Sequence, residues 1–339
     1  MNTKFLRQFG PLLALAVMSA VLSVMSPNFL TLDNLTNVFR QSTINALLAL
    51  GQLMVIITAG IDLSVGSVLG VCCVVFALLL KNGAPVLLAL VATILLGLAL
   101  GLINGALLTY LRLPHPFIST LGMMNVARGA ALIISGGFPI SGLPESARFL
   151  GAGVVGPVPV PIIVVLAVYF GFYLFLTRTV VGRDIYAIGG NQEAARLSGI
   201  NVRQRLNLVY GLSGALAGLS AIVLAGRMNS GFPLAGSGAE LDAIAAVIIG
   251  GASFFGGIGT VWGTLTGALI MGVLRNGLNL LEVSALWQTV VIGIVIVVAV
   301  WIDVLRKQMF GRERRAKKVM PEMALGVGSG ASEFDSKQL

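Results

Sequence analysis

The chain has 339 residues, 57% of them hydrophobic and 10% charged, with a formal net charge of +9. An ordinary soluble domain carries about 25% charged and about 45–50% apolar residues, and a disordered chain is poorer still in hydrophobes. The soluble-enzyme classes are therefore excluded, while a bilayer, where about 20 residues make one crossing, takes up the length as about ten helices.

Charge-free apolar runs, split at glycine and proline breaks, predict spans over 9–25, 41–61, 63–80, 86–111, 117–135, 158–177, 206–226, 241–257, 260–278 and 285–303. The first follows Lys4 and Arg7, as a cleavable signal peptide would, but no A-x-A site comes after it and it is read as a retained helix. Cys72 and Cys73 are adjacent inside the third run, where they read as small core hydrophobes. Small residues recur four apart at Gly97, Gly101 and Gly105, and again at Gly259, Gly263 and Gly267, a spacing that lets helix backbones approach closely. A faint internal echo links VIITAGIDLSVGSVLG from Val55 with VIIGGASFFGGIGTVWG from Val247. Both enter a glycine-containing turn between two spans. The expected architecture is all-α and polytopic: a transmembrane domain over 1–305, with a cytoplasmic loop at 178–205, and a basic, flexible cytoplasmic tail at 306–339.

Placement of the basic residues sets the orientation. With the N-terminus inside, 16 of the 22 lysines and arginines fall on cytoplasmic segments, Arg112 and the tail among them, and flipping the chain reverses the ratio. Both termini are expected in the cytoplasm. The positive charge so distributed points to lipid and topology rather than to nucleic acid.

A search for chemistry returns little. His115 is the single histidine, and neither H-E-x-x-H nor G-x-S-x-G occurs. No glycine is followed by lysine, so the chain lacks a phosphate-cradling P-loop. Gly151–Gly156 reads GAGVVG, but GPVPVP begins at its last glycine, so no helix opens there as a dinucleotide fold requires. No catalytic residue, metal site or cofactor is expected. Asp62, Arg128 and Asp242 are the ionisable candidates within spans, where charge is costly and marks function. Asp62, in AGIDLSVGS, has two readings: a cap for a helix starting near Leu63 at a cytoplasmic turn, or part of a translocation path with Ser64 and Ser67.

The loop at 178–205 is the informative one. Asn191 can cap a short helix over Gln192–Ser198, Glu193 sits at its positive end, and Gly199 supplies the stop. Two turns are too short to be stable alone, so the helix must dock on something. Ala194 and Ala195 offer a small-residue face, with Glu193 and Arg196 as its polar edges.

EAARLSG at 193–199 resembles the EAA-x3-G loop with which ABC-importer permeases dock into their ATPase. GIDLSVGS at 60–67, YAIGGN at 186–191, LSGINV at 197–202 and the stretch from Glu240 to Leu281 are similar to the ribose-type monosaccharide permeases, over about residues 20–305. The resemblance implies a membrane-spanning subunit without catalysis of its own. It also implies a second permease copy in a homodimer, a separate ABC ATPase subunit, a periplasmic sugar-binding protein, and a place in the bacterial inner membrane. A self-sufficient secondary transporter driven by an ion gradient is the alternative.

Overall fold

The computed structural model describes residues 3–111, 113 and 115–326, with side chains described from Phe9 to Leu305. Arg112 and residues 327–339, which enter the orientation argument and the expected tail, lie outside the described residues.

Among the described residues thirteen helices run in chain order: α1 Thr3–Met25, α2 Leu32–Ile57, α3 Val65–Lys81, α4 Val86–Thr109, α5 Pro116–Ser135, α6 Glu145–Ala152 and α7 Val160–Arg178. There follow α8 Val180–Gly190, α9 Gln192–Leu197, α10 Val202–Met228, α11 Ala239–Ile249, α12 Val261–Leu280 and α13 Ala285–Gly326. Four two-residue strands form two small antiparallel ribbons: β1 (Ile140–Ser141) with β4 (Ser230–Gly231), and β2 (Val154–Val155) with β3 (Val158–Pro159). The GAGVVG segment is thus the end of α6 and a hairpin.

At the centre lie α10 and the second half of α2. From Ala46 to Ile57 every residue of α2 is buried, and α10, at 27 residues, is about 40 Å long. Helix α4 lies along α10 on the predicted glycine stripe. A methyl group on Gly97 would run into the Gly214 carbonyl, one on Gly101 into that of Tyr210, and one on Gly105 into Asn207. Around this core α1, α4, α5, α7 and α13 turn Leu, Val, Ile and Phe outward: Leu87, Ile133, Phe170 and Val297 are more than half exposed. An apolar shell over a core holding Gln52, Asp62, Asn104 and Ser213 reverses the order of a soluble protein. Lipid is the solvent that fits. Among the described residues five helices are long and apolar enough to cross a membrane by length and composition. The protein is an all-α, multi-pass membrane protein.

Nine of the ten predicted spans fall on helices of at least 17 residues. The eighth, 241–257, differs. Its helix, α11, has only 11 residues, about 16 Å, roughly half a bilayer. Gly238 at φ +79° opens it, and Gly250 with Gly251 at φ +93° ends it. The preceding segment 229–238 is not helical: the two strand residues Ser230 and Gly231 are followed by a run of turns. It descends along α3, with Gly231 against Cys73 and Ala77, and Gly236 against Gly66. Cys72 and Cys73 are free thiols in the core. Helix α13 continues to Gly326, where a flexible tail was expected from Arg306.

Candidate functional site

One end of the bundle carries an arm, built from α8 and α9. Thr179 starts α8: its Oγ1 accepts the Gly182 N–H at 3.0 Å and donates to the Phe175 carbonyl at 2.6 Å. Asn191 caps α9, its Oδ1 accepting the Ala194 N–H at 3.0 Å. Glu193 and Arg196 pair at 2.6 Å with both side chains about two-thirds exposed, and the Arg196 guanidinium holds the Glu193 carboxyl below the ordinary carboxylate range. Gly199, at φ +86°, closes the helix with its N–H on the Arg196 carbonyl.

The two alanines part company. Ala195 is buried with Ile188 and Val202 in a small cluster that holds α9 to α8 and α10, so it faces inward and not toward a partner. The outward surface consists of Glu193, Ala194, Arg196 and Leu197, the last 77% exposed. With six residues, α9 is held by this cluster rather than by its own propensity.

The arm is locked onto the bundle through α8, which the sequence reading leaves as loop. Arg205 pairs with Asp184 at 2.8 Å, tying α8 to α10, and Tyr186 Oη donates to the Gly259 carbonyl at 2.8 Å. Gly189 lies under the Ile57 carbonyl so closely that any Cβ would collide with it. The same carbonyl accepts the Gly257 N–H at 2.8 Å. The end of α2, the end of α8 and the glycine-rich segment after α11 therefore meet at one point. Gly259 belongs to that segment and not to a helix face: it packs against Leu53 and Ile57, whereas Gly263 and Gly267 fit α12 closely against Gly250 and Ala246 of the α11 end.

Three residues beyond Ile57 the chain turns back toward the core. Ala59 takes the left-handed conformation at φ +60°, and Asp62 is 1% exposed. Asp62 Oδ1 accepts the Ser64 N–H at 2.9 Å and the Ser64 hydroxyl at 2.6 Å, while Oδ2 accepts the Ser213 hydroxyl of α10 at 3.3 Å. Gln52 donates to the Asp62 carbonyl at 2.7 Å, and Asn104 of α4 donates to Ser64 Oγ at 2.8 Å. This junction joins α2, α3, α4 and α10. Ser64 is the residue that precedes α3, and the buried Asp62, read from the sequence either as a cap at a cytoplasmic turn or as part of a translocation path, braces the turn from within. Ser67 is buried one turn further along α3. Gln52 Oε1 and Asn104 Oδ1, on the same two side chains, and Tyr210 Oη, three residues before Ser213, are buried without a hydrogen-bond partner among the described residues.

Gln52, Asn104 and Ser213 carry no motif, and only their distance from lipid marks them. Arg128 Nη1 donates to the Pro233 and Ala235 carbonyls at 2.7 and 2.9 Å, holding the segment before α11. Asp242 pairs with Arg275 at 2.5 Å. Among the described residues no group of three or more His, Cys, Asp or Glu could hold a metal ion.

An apolar-shelled bundle with a docked arm on one end and a polar interior defines a multi-pass membrane protein. The comparisons make the class specific. The family model described as "Branched-chain amino acid transport system / permease component" matches residues 34–300, and the chain belongs to that permease family. It is 45% identical to the ribose import permease protein RbsC of Escherichia coli (strain K12) over 296 residues, covering 86% of this chain and 92% of the relative. The ribose import permease protein RbsC of Bacillus subtilis (strain 168) is 43% identical over 300 residues, 88% of this chain and 93% of its own length. The D-allose transport system permease protein AlsC of E. coli (strain K12) is 42% identical over 302 residues, 88% and 92%. No solved structure matches. The chain is accordingly a transport component and not an enzyme.

Proposed function

We propose that the chain is the membrane-spanning subunit of an ATP-driven ABC importer that carries a monosaccharide into the cell. The relatives named for ribose and allose support the sugar class, since they match nearly the whole chain at above 40% identity. The observation that carries the mechanism is the continuous contact from α9 through α8 to the Ile57 carbonyl, five residues before Asp62. A partner that grips Glu193, Ala194, Arg196 and Leu197 pulls on α8, and α8 is seated on the end of α2. Because α8 is tied at three places, displacement of the arm is passed on rather than absorbed.

In this reading the ABC ATPase subunit seats on the arm, with Asn191 and Gly199 setting the shape of α9. A periplasmic sugar-binding protein docks on the opposite end, and a second copy completes a homodimer in the bacterial inner membrane. Both termini and the arm are cytoplasmic, and Asp62, Ser64 and Ser67 seal the inner part of the path until the arm moves.

Topology and coupling are separately testable. Reporter fusions at Gly142 and Gly199 should report outside and inside respectively; one side for both would refute the orientation. Glu193→Lys should abolish sugar uptake while the permease still inserts, and wild-type uptake in that variant would refute a docking role for the arm.

A further inference from the structure

Opposite the arm, a cavity of about 240 Å³ opens between α2, α10, α11 and α12. Pockets for drug-sized ligands begin near 300 Å³, so this one suits something smaller, on the scale of one sugar ring. Its polar lining comes from four different elements: Gln41 and Asn45 on α2, Arg227 on α10, Asp242 on α11 and Arg275 on α12. Ile44, Leu224 and Met271 supply an apolar wall. Gly236 and Gly272 expose backbone in its surface; at Gly272 even a Cβ would collide with Ser42.

Two features separate this cavity from a packing fault. Asn45 Oδ1 is buried yet accepts no hydrogen bond among the described residues, although buried carbonyl oxygens are nearly always paired. Its lining also mixes donors with acceptors, including the Arg275–Asp242 pair. Arg227, Arg275 and Gln41 donate, while Asp242 and Asn45 Oδ1 accept. A hydroxyl does both, so a neutral polyhydroxylated ring can satisfy both kinds of group at once. Its C–H face can rest on Ile44, Leu224 and Met271. An anion would meet the Asp242 carboxylate, and an apolar ligand would leave Asn45 Oδ1 without a partner.

We propose that this cavity is a transit site at which the permease itself holds a neutral monosaccharide, with Asn45 and Asp242 accepting its hydroxyls. The proposal rests on the sugar-importer reading. Asn45 lies 12 residues before Ile57 in α2, about 18 Å along the helix from the point that the arm touches. The site therefore stands at the far end of the element that the arm displaces.

The test uses the permease with its ATPase and binding protein in proteoliposomes, and D-ribose, D-allose and D-xylose as probes. Wild-type uptake of at least one of these sugars is the control for the importer reading; uptake of none would defeat that reading by itself. Given uptake, Asn45→Leu decides the site. It removes an oxygen that accepts no hydrogen bond among the described residues, so the melting temperature should hold or rise, while the uptake rate falls about tenfold. In parallel, Gln41→Cys is labelled with a membrane-impermeant maleimide, and millimolar transported sugar should slow the labelling several-fold while inorganic phosphate does not. Wild-type uptake by Asn45→Leu, or labelling that no sugar slows, would overturn the proposal. So would an uptake loss accompanied by a lowered melting temperature, or protection by phosphate equal to that by sugar.

Discussion

Two breaks in the bundle, 58–64 between α2 and α3 and 250–260 between α11 and α12, follow the same sequence pattern and are held in different ways. The first is closed by side chains: Asp62 gathers Ser64 and Ser213, and Gln52 and Asn104 bind what remains. The second is closed by backbone. Gly256 and Gly257 take positive φ and press against Ala59, Gly189 and Gly190, and Gly250 meets Gly263. Its long-range side-chain supports are Tyr186 of α8, which donates to the Gly259 carbonyl, and Asp303 of α13, whose Oδ2 accepts the Phe254 N–H at 3.0 Å and the Ser253 hydroxyl at 3.2 Å. A break closed by polar side chains can exchange partners at modest cost, because each bond nets about 1 kcal/mol. One closed by glycine contacts has no slack, since close-packed backbone either fits or does not. In the proposed mechanism the glycine break is the anvil for the arm, and the polar break is the part able to rearrange.

The expected effects of substitution rank accordingly. Gly189→Leu should be the most damaging, because its side chain meets the Ile57 carbonyl and not a movable group; a loss of more than about 3 kcal/mol is expected. Thermal unfolding of the purified protein in detergent checks this, and an unchanged melting temperature would remove the anvil. Next comes Asp62→Ala, which strands the Ser64 and Ser213 donors and should cost about 2–3 kcal/mol, with Asp62→Asn milder at about 1 kcal/mol. Equal losses from the two would mean that the charge, not the hydrogen-bonding shape, braces the turn. Asp303→Ala should cost about 1–2 kcal/mol and raise hydrogen exchange at Phe254 before that at Ser64. Glu193→Lys should leave stability within about 0.5 kcal/mol, as an exposed site does, and still abolish uptake. Such a gap between stability and function distinguishes a docking edge from a structural pair.

Much of this arrangement can be read from residues, and the misses have physical causes. Apolar runs mark nine long helices because a crossing demands a length that little else in a sequence imitates. The stripe at Gly97, Gly101 and Gly105 announces the α4–α10 contact because close approach leaves room for nothing larger. Helix α11 misleads: its apolar residues run on through Phe254 and Phe255, but Gly250 and Gly251 stop the helix after 11 residues. Helix α8 is missed because Arg183, Asp184 and its glycines look like solvated loop, and its order comes from Arg205, Tyr186 and Gly189, contacts set by tertiary structure. In α9 the alternation of Ala194 and Ala195 cannot be assigned to faces until Ile188 and Val202 are seen to claim the second. Leu197, the most exposed apolar group of the arm, carries no signal in a chain so rich in leucine.

The most direct test is uptake by proteoliposomes containing the permease, its ATPase and its binding protein, with all ion gradients dissipated and radiolabelled D-ribose outside. Sugar accumulation that requires ATP, and that disappears when Glu193→Lys replaces the wild-type permease, is the result the account predicts. Accumulation by the permease alone, driven by an imposed proton or sodium gradient without the ATPase, would contradict it.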